Sequence, residues 1–193
     1  MTVTIAIVII NCIVSYVCFN SDVYFNKLAH IPYIESRTKE YWRFVTSGFV
    51  HANLLHLSIN MIVLWQFGTL VEERLGSLLF LVMYLSAIAI ANIPSYFKQK
   101  DNKNYIAIGA SGAVSATLFS FILFSPWSML GVFLVIPMPA VIFGVLYLAY
   151  EQYASRNIPD NIGHDAHISG AIFGFLFTLI LHPSLITNLF ERQ

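Results

Sequence analysis

GASGAVSATLFSFILFS, residues 109–125, is an uncharged run that opens on small residues and closes on bulky apolar ones. Its length approaches the roughly 20 residues that carry a helix across the hydrocarbon of a bilayer. A strand at that depth would leave backbone N–H and C=O groups without partners, so the run reads as a helix. Five further apolar runs lie on either side, at about 2–19, 47–71, 77–97, 137–153 and 166–186. Of the 193 residues, 58% are hydrophobic and 10% charged, against roughly 45–50% and about 25% in soluble domains. With a mean hydropathy of +0.72, the excess apolar surface needs a solvent other than water. The chain reads as an all-α membrane protein, a six-transmembrane-helix bundle forming a single membrane domain over residues 1–193.

The connections differ in character. EERLGS, residues 72–77, joins the second and third spans tightly, whereas Asn20 to Thr46 is a long stretch in which charges alternate with Tyr24, Phe25, Tyr33, Tyr41 and Trp42. That composition suits the headgroup layer, and a folded interfacial loop is expected there. The apolar link PWSMLGVFLVIPMP contains three prolines and reads as partly embedded. The first apolar run lacks a basic leader and reads as a retained helix. Its Cys12 and Cys18 read as buried thiols, with no disulfide framework and no cysteine metal site. Ten basic residues balance ten acidic ones, so no field that would gather nucleic acid is expected.

In a serial bundle, the second, fourth and sixth spans begin on one face. The second opens with His51, His56 and Asn60, the fourth with Gly109-Ala110-Ser111-Gly112, and the sixth with His164, Asp165 and His167. Polar groups inside a membrane are costly, so their gathering in one layer points to function. Ser111, between glycines at a helix start, has first-turn N–H groups beside it that can receive an oxyanion. An alcohol needs a base, and His167 is the best supplier. Gly170 and Gly174 form a GxxxG face below it, matched by Gly112 and Ala116 on the fourth span, and their close packing would bring Ser111 to His167. His56 and Asn60, at i and i+4, share a face and can complete an oxyanion pocket as donors. His51 lies off that face and reads as a holder of the loop through a backbone hydrogen bond. Asp165, two residues before His167, points away and builds no triad. His30 and His182 read as interface residues.

Each element has a plainer reading. A Gly-Ala-Ser-Gly string alone is a packing motif, and a single membrane histidine is a hydrogen-bonded structural residue. The coincidence of depth across three spans favours chemistry. A metal site drawn from His51, His56, His164, Asp165 and His167 has weak support, because no HExxH helix is present and the five-residue spacing of His51 and His56 does not stack on one face. Against a transporter, the third and fifth spans contain almost no ionisable residue to line a path, and no internal repeat is evident.

These residues together resemble the rhomboid intramembrane serine proteases over nearly the whole chain. The matching residues are Trp42-Arg43, His51 with His56-x-x-x-Asn60, Glu72-x-Arg74-x-Gly76-Ser77, GASG at 109–112 and Ala166-His167-x-x-Gly170-x-x-x-Gly174. The resemblance implies a Ser111–His167 dyad without a third acid. It also implies an oxyanion hole from the Ser111 N–H with His56 and Asn60, and structural roles for His51, Trp42, Arg43, Glu72 and Arg74. Substrates would be transmembrane helices of other proteins in contact with membrane lipids, with no cofactor, metal or nucleic acid. A half-embedded first loop and a fifth helix acting as a lateral gate are further implications. A catalytically silent relative that binds transmembrane helices is the alternative. One departure is Ser115, where relatives carry an aromatic that stacks on the catalytic imidazole; Phe119 and Tyr84 are the candidates to replace it. Another is charge: eight Lys and Arg follow the first, third and fifth spans, and only Arg74 and Arg192 lie opposite. The positive-inside rule puts the active-site face in the cytoplasm. The family topology puts the N-terminus there, as in the inner membrane of a bacterium, and is preferred because the first loop is folded.

Overall fold

The computed structural model describes residues 2–132, 136–158 and 162–190. Helix α1 (Val3–Phe19) is followed by the short helices α2 (Asp22–Leu28), α3 (Pro32–Thr38) and α4 (Arg43–Thr46), and by a 3-10 turn at Ser47–Phe49. Then come α5 (Leu54–Leu75), α6 (Ser77–Ala91), α7 (Ile93–Gln99) and α8 (Ser111–Phe124). A ribbon of β1 (Met129–Val132) and β2 (Ile136–Pro139) precedes α9 (Ala140–Asn157), α10 (His164–Leu181) and a closing 3-10 segment, Pro183–Leu189. Three helical stretches among the described residues are long and apolar enough to cross a membrane: Leu54–Leu75, Ser77–Gln99 and His164–Leu181. Helices α1 and α8 are shorter apolar helices.

Helix α8 is the centre of the bundle, with every residue from Gly112 to Leu123 buried. Helix α10 lies against it so closely that a Cβ on Gly170 would enter the Gly112 carbonyl, and one on Gly174 the Ala116 carbonyl. Glycine is required at both positions for that approach. Outward surfaces are apolar: Leu55, Ile59 and Ile62 on α5 and Ile172, Leu176 and Ile180 on α10 are exposed at helical spacing. Polar groups turn inward and pair between helices, as Ser120 Oγ with Thr178 Oγ1 at 2.6 Å. Such an inside-out distribution fits a chain whose outer solvent is hydrocarbon.

Glu72 shows how a buried charge is accommodated. Its carboxylate accepts from Val3 N and Thr4 N, both at 2.8 Å, from Thr4 Oγ1 at 2.7 Å and from Ser77 Oγ at 2.6 Å. It therefore neutralises orphan donors at the start of α1, where the helix dipole also favours an anion. Gly76, at φ +81°, makes the tight turn into α6, while Arg74 is exposed.

Several details depart from the sequence reading. The second span begins at Leu54, because Ser47–Phe49 takes a 3-10 turn and Asn53 caps the helix by accepting from His56 N at 2.9 Å. The apolar link forms an antiparallel ribbon, in which Gly131 faces Pro137 and Met129 faces Pro139. Both strands of a two-stranded ribbon are edges, so prolines lacking an N–H fit there. Cys12 is exposed and only Cys18 is buried. His30 is fully buried, with Nδ1 2.8 Å from Glu35 Oε1 and Nε2 2.9 Å from Ser95 Oγ. Proline at the start of α3 turns Glu35 back toward His30, a pairing that residue spacing alone conceals. His182 is half-buried with its ring edge-on to Phe124. Arg192, counted in the charge balance, lies outside the described residues.

Candidate active site

Ser111 is the first residue of α8, and the helix start carries no side-chain cap, so its first-turn N–H groups keep their donor capacity. His167, in the first turn of α10, presents Nε2 to Ser111 Oγ at 2.8 Å. The close α8–α10 packing of Gly112, directly after Ser111, against Gly170, three residues after His167, sets this distance. Both side chains line a cavity of about 870 Å³ together with His56, Asn60, Ser115 and Tyr147. The three helix starts are thus joined in one chamber, with polar groups set among apolar side chains such as Val63, Leu118 and Phe143.

Gly109 takes φ +120°, and a Cβ there would meet His56 Cε1 at 2.8 Å and Nε2 at 3.0 Å. Its glycine lets the His56 ring lie against the backbone just before Ser111. Asn60 Nδ2 donates to His56 O at 2.9 Å; an amide has two N–H groups, so a second donor is left in its inventory. His51 is fully buried, and its Nε2 accepts from Ala110 N at 3.4 Å. Its Nδ1–H then donates to Ser15 Oγ at 2.9 Å, and that hydroxyl donates to Phe49 O at 3.0 Å. This chain uses every proton of a neutral imidazole and ties α1, the 3-10 turn and the approach to Ser111 together.

Arg43 is buried beneath the first loop. Its Nη1 donates to Asn26 O at 2.5 Å and Ala29 O at 3.0 Å, and its Nε donates to Glu40 at 2.7 Å. Trp42 is exposed beside it. Neither side chain lines the cavity around Ser111. Asp165 turns away from His167, accepting from Lys98 Nζ at 2.5 Å and Ser155 Oγ at 2.8 Å, which links α7, α9 and α10.

Two residues of α9 escaped the sequence reading. Tyr147 lies alongside the His167 imidazole, with ring centroids 6.4 Å apart and planes 26° from parallel. Its hydroxyl meets Ser115 Oγ at 2.7 Å, so a tyrosine from a different helix covers the imidazole and the expected aromatic position supplies only its hydrogen-bond partner. Of the aromatics suggested earlier, Tyr84 is fully buried beside Asn11 and Phe119 packs against the Tyr147 ring at 5.8 Å. Glu151, one turn further along α9, brings Oε1 to 3.0 Å from His167 Nδ1 and Oε2 to 2.5 Å from His164 Nδ1. The one signal for Glu151 is a carboxylate close to the end of an apolar run, which has to find a partner; nothing local marks Tyr147.

Glu151, His164 and His167 also present atoms within 4.8 Å of one another that could ligate a metal. Of the histidines and aspartate considered for a metal from sequence, only His164 and His167 enter this group. Their contacts to Glu151 have hydrogen-bond lengths. Two ligands on a tetrahedral zinc, at bond lengths of about 2.0–2.1 Å, stand roughly 3.3 Å apart, so a metal would require the cluster to spread.

Chemically, a hydroxyl in contact with an imidazole nitrogen, beside uncapped backbone donors and open to a cavity, is equipped for acyl transfer. A family model described as the Rhomboid domain matches residues 38–184. Among similar proteins, Rhomboid protease GluP of Bacillus subtilis is 33% identical over 137 residues, covering 70% of this chain and 25% of that protein. Rhomboid-like protein 11, chloroplastic, of Arabidopsis thaliana is 30% identical, covering 77% of this chain and 55% of its own length. Presenilin-associated rhomboid-like protein A, mitochondrial, of Danio rerio is 31% identical, covering 67% and 35% respectively. The chain therefore spans about half or less of the length of these relatives.

Proposed function

The chain belongs to the rhomboid family, and from that membership and the chemistry around Ser111 we propose that it is an intramembrane serine endopeptidase that cleaves transmembrane helices. The observation that carries the reading is the 2.8 Å contact between Ser111 Oγ and His167 Nε2. As substrate peptide enters the cavity, Ser111 Oγ attacks the scissile carbonyl carbon and its proton passes to His167 Nε2. Charge collects on the former carbonyl oxygen, which the Ser111 N–H and the His56 and Asn60 side chains receive. His167 then gives its proton to the departing amine, leaving an acyl ester on Ser111. Water, its proton taken by His167, attacks that ester; the proton returns to Ser111 Oγ and the new carboxyl terminus leaves.

Six membrane crossings, formed by α1, α5, α6, α8, α9 and α10, complete the reading. Residues 20–46 form the interfacial loop, and a cytoplasmic N-terminus puts the Ser111 cavity near the opposite face of a cell membrane. The burial of Arg43 supports this orientation against the charge count, since a guanidinium shared between the Glu40 carboxylate and the Asn26 and Ala29 carbonyls is a structural fastener. The test is proteolysis of a single-pass membrane substrate co-reconstituted in liposomes. Wild type is expected to release two fragments and Ser111→Ala none. Equal cleavage by Ser111→Ala would refute the nucleophile, and intact substrate with folded wild type would favour a silent helix-binding protein.

A further inference from the structure

Glu151 is 5% exposed in its side chain and lies where α9 passes from its apolar stretch into the more polar YEQYASRN end; buried to this degree, an unpaired carboxylate would be strongly disfavoured. Both of its oxygens are engaged by ring nitrogens, Oε1 by His167 Nδ1 at 3.0 Å and Oε2 by His164 Nδ1 at 2.5 Å. An ionised carboxylate has no proton to donate, so each Nδ1 must carry the hydrogen. In a neutral His167 that leaves the lone pair on Nε2, the nitrogen facing Ser111 Oγ. The Tyr147 ring beside the imidazole and the Nδ1 contact together set its tilt.

We propose that Glu151 is a positioning residue for the reaction, completing a Ser111–His167–Glu151 set drawn from α8, α10 and α9. The inference rests on the reading of Ser111 and His167 given above. When Nε2 takes the Ser111 proton, the ring becomes an imidazolium with both nitrogens protonated. Glu151 remains ionised and stabilises that cation at Nδ1 without accepting a proton. Its second oxygen is held by His164, so the carboxylate cannot rotate away without losing a hydrogen bond. The acid is supplied from a third helix, so the two-residue arrangement implied by the resemblance is extended in this chain. Asp165 is excluded from the role by its pairing with Lys98 and Ser155.

Glu151→Gln preserves shape while removing the charge and allowing an amide N–H to face Nδ1, which favours the opposite tautomer. In proteoliposomes that variant is expected to lose about 10²–10⁴-fold in kcat with KM within about threefold, the pattern of a lost transition-state interaction. Glu151→Asp, which restores the charge, is expected to recover part of kcat. Wild-type kcat in Glu151→Gln, with Ser111→Ala inactive, would overturn this inference alone; activity in Ser111→Ala would overturn the reading beneath it. A measurement independent of folding variants is NMR of isotope-labelled imidazoles in the wild-type protein. It is expected to show His167 as the Nδ1–H form at neutral pH, and an Nε2–H form would overturn the proposal. Chelator-sensitive turnover restored only by zinc would also overturn it, by making the three side chains ligands.

Discussion

Adding one methyl at Gly174 tests the link between packing and chemistry without altering any reacting group. The Cβ of Gly174→Ala would fall on the carbonyl oxygen, carbon and Cα of Ala116. These are backbone atoms in the middle of a fully buried helix, so no side chain can swing aside and α8 and α10 must part by about 1 Å, a displacement that costs roughly 10²-fold when it separates reacting groups. Overpacking of this kind also costs about 1–3 kcal/mol in stability. The Gly144→Ala variant is the comparison, because its methyl meets the flexible end of Ile122, Cδ1 at 2.9 Å, which can rotate. Turnover of a reporter transmembrane substrate in proteoliposomes and thermal unfolding of the same preparations provide the readouts. Gly174→Ala is expected to fall about 10²-fold in kcat, while Gly144→Ala stays near wild type. Full activity and unchanged stability in Gly174→Ala would refute the claim that close α8–α10 contact sets the Ser111–His167 distance.

Other perturbations probe separate parts of the molecule. Glu72→Ala removes the acceptor of four hydrogen bonds and is expected to lower stability by at least about 1.5–3 kcal/mol, the worth of one bond to a charged group, as read by thermal unfolding. His56→Ala and Asn60→Ala are each expected to reduce kcat by up to about 10²–10³ with little change in KM, measured by steady-state cleavage. Tyr147→Phe keeps the ring beside His167 and loses only the bond to Ser115, so its kcat is expected to stay within about tenfold of wild type, a loss of roughly 1 kcal/mol. Tyr147→Ala is expected to lose more.

What could be read from the residues, and what could not, follows from the range of the interactions. Gly112, Ala116, Gly170 and Gly174 lie at helical spacing, and that local regularity is enough to predict the approach of Ser111 to His167. Glu151 was overlooked because its partners lie 13 and 16 residues away on another helix, and the rotation of α9 about its axis leaves no periodic signature near His167. The same applies to Tyr147, which reaches the imidazole from the neighbouring helix α9 while Ser115 sits at the position where an aromatic is expected. The partners of His30 are hidden for a different reason: Glu35 comes from within α3 and Ser95 from α7, so burial leaves neither ring nitrogen without a partner. The proline-rich link carried a conflicting signal, apolar enough for a membrane and too rich in proline for a helix. A two-stranded ribbon reconciles the two.

Covalent capture of the serine by a fluorophosphonate, mapped by mass spectrometry of the intact and digested protein, tests the central claim most directly. Wild type is predicted to carry a single adduct on Ser111, and neither Ser111→Ala nor His167→Ala, both folded, is predicted to react. A folded wild type that resists the reagent, or an adduct that persists when Ser111 is replaced, would contradict the account.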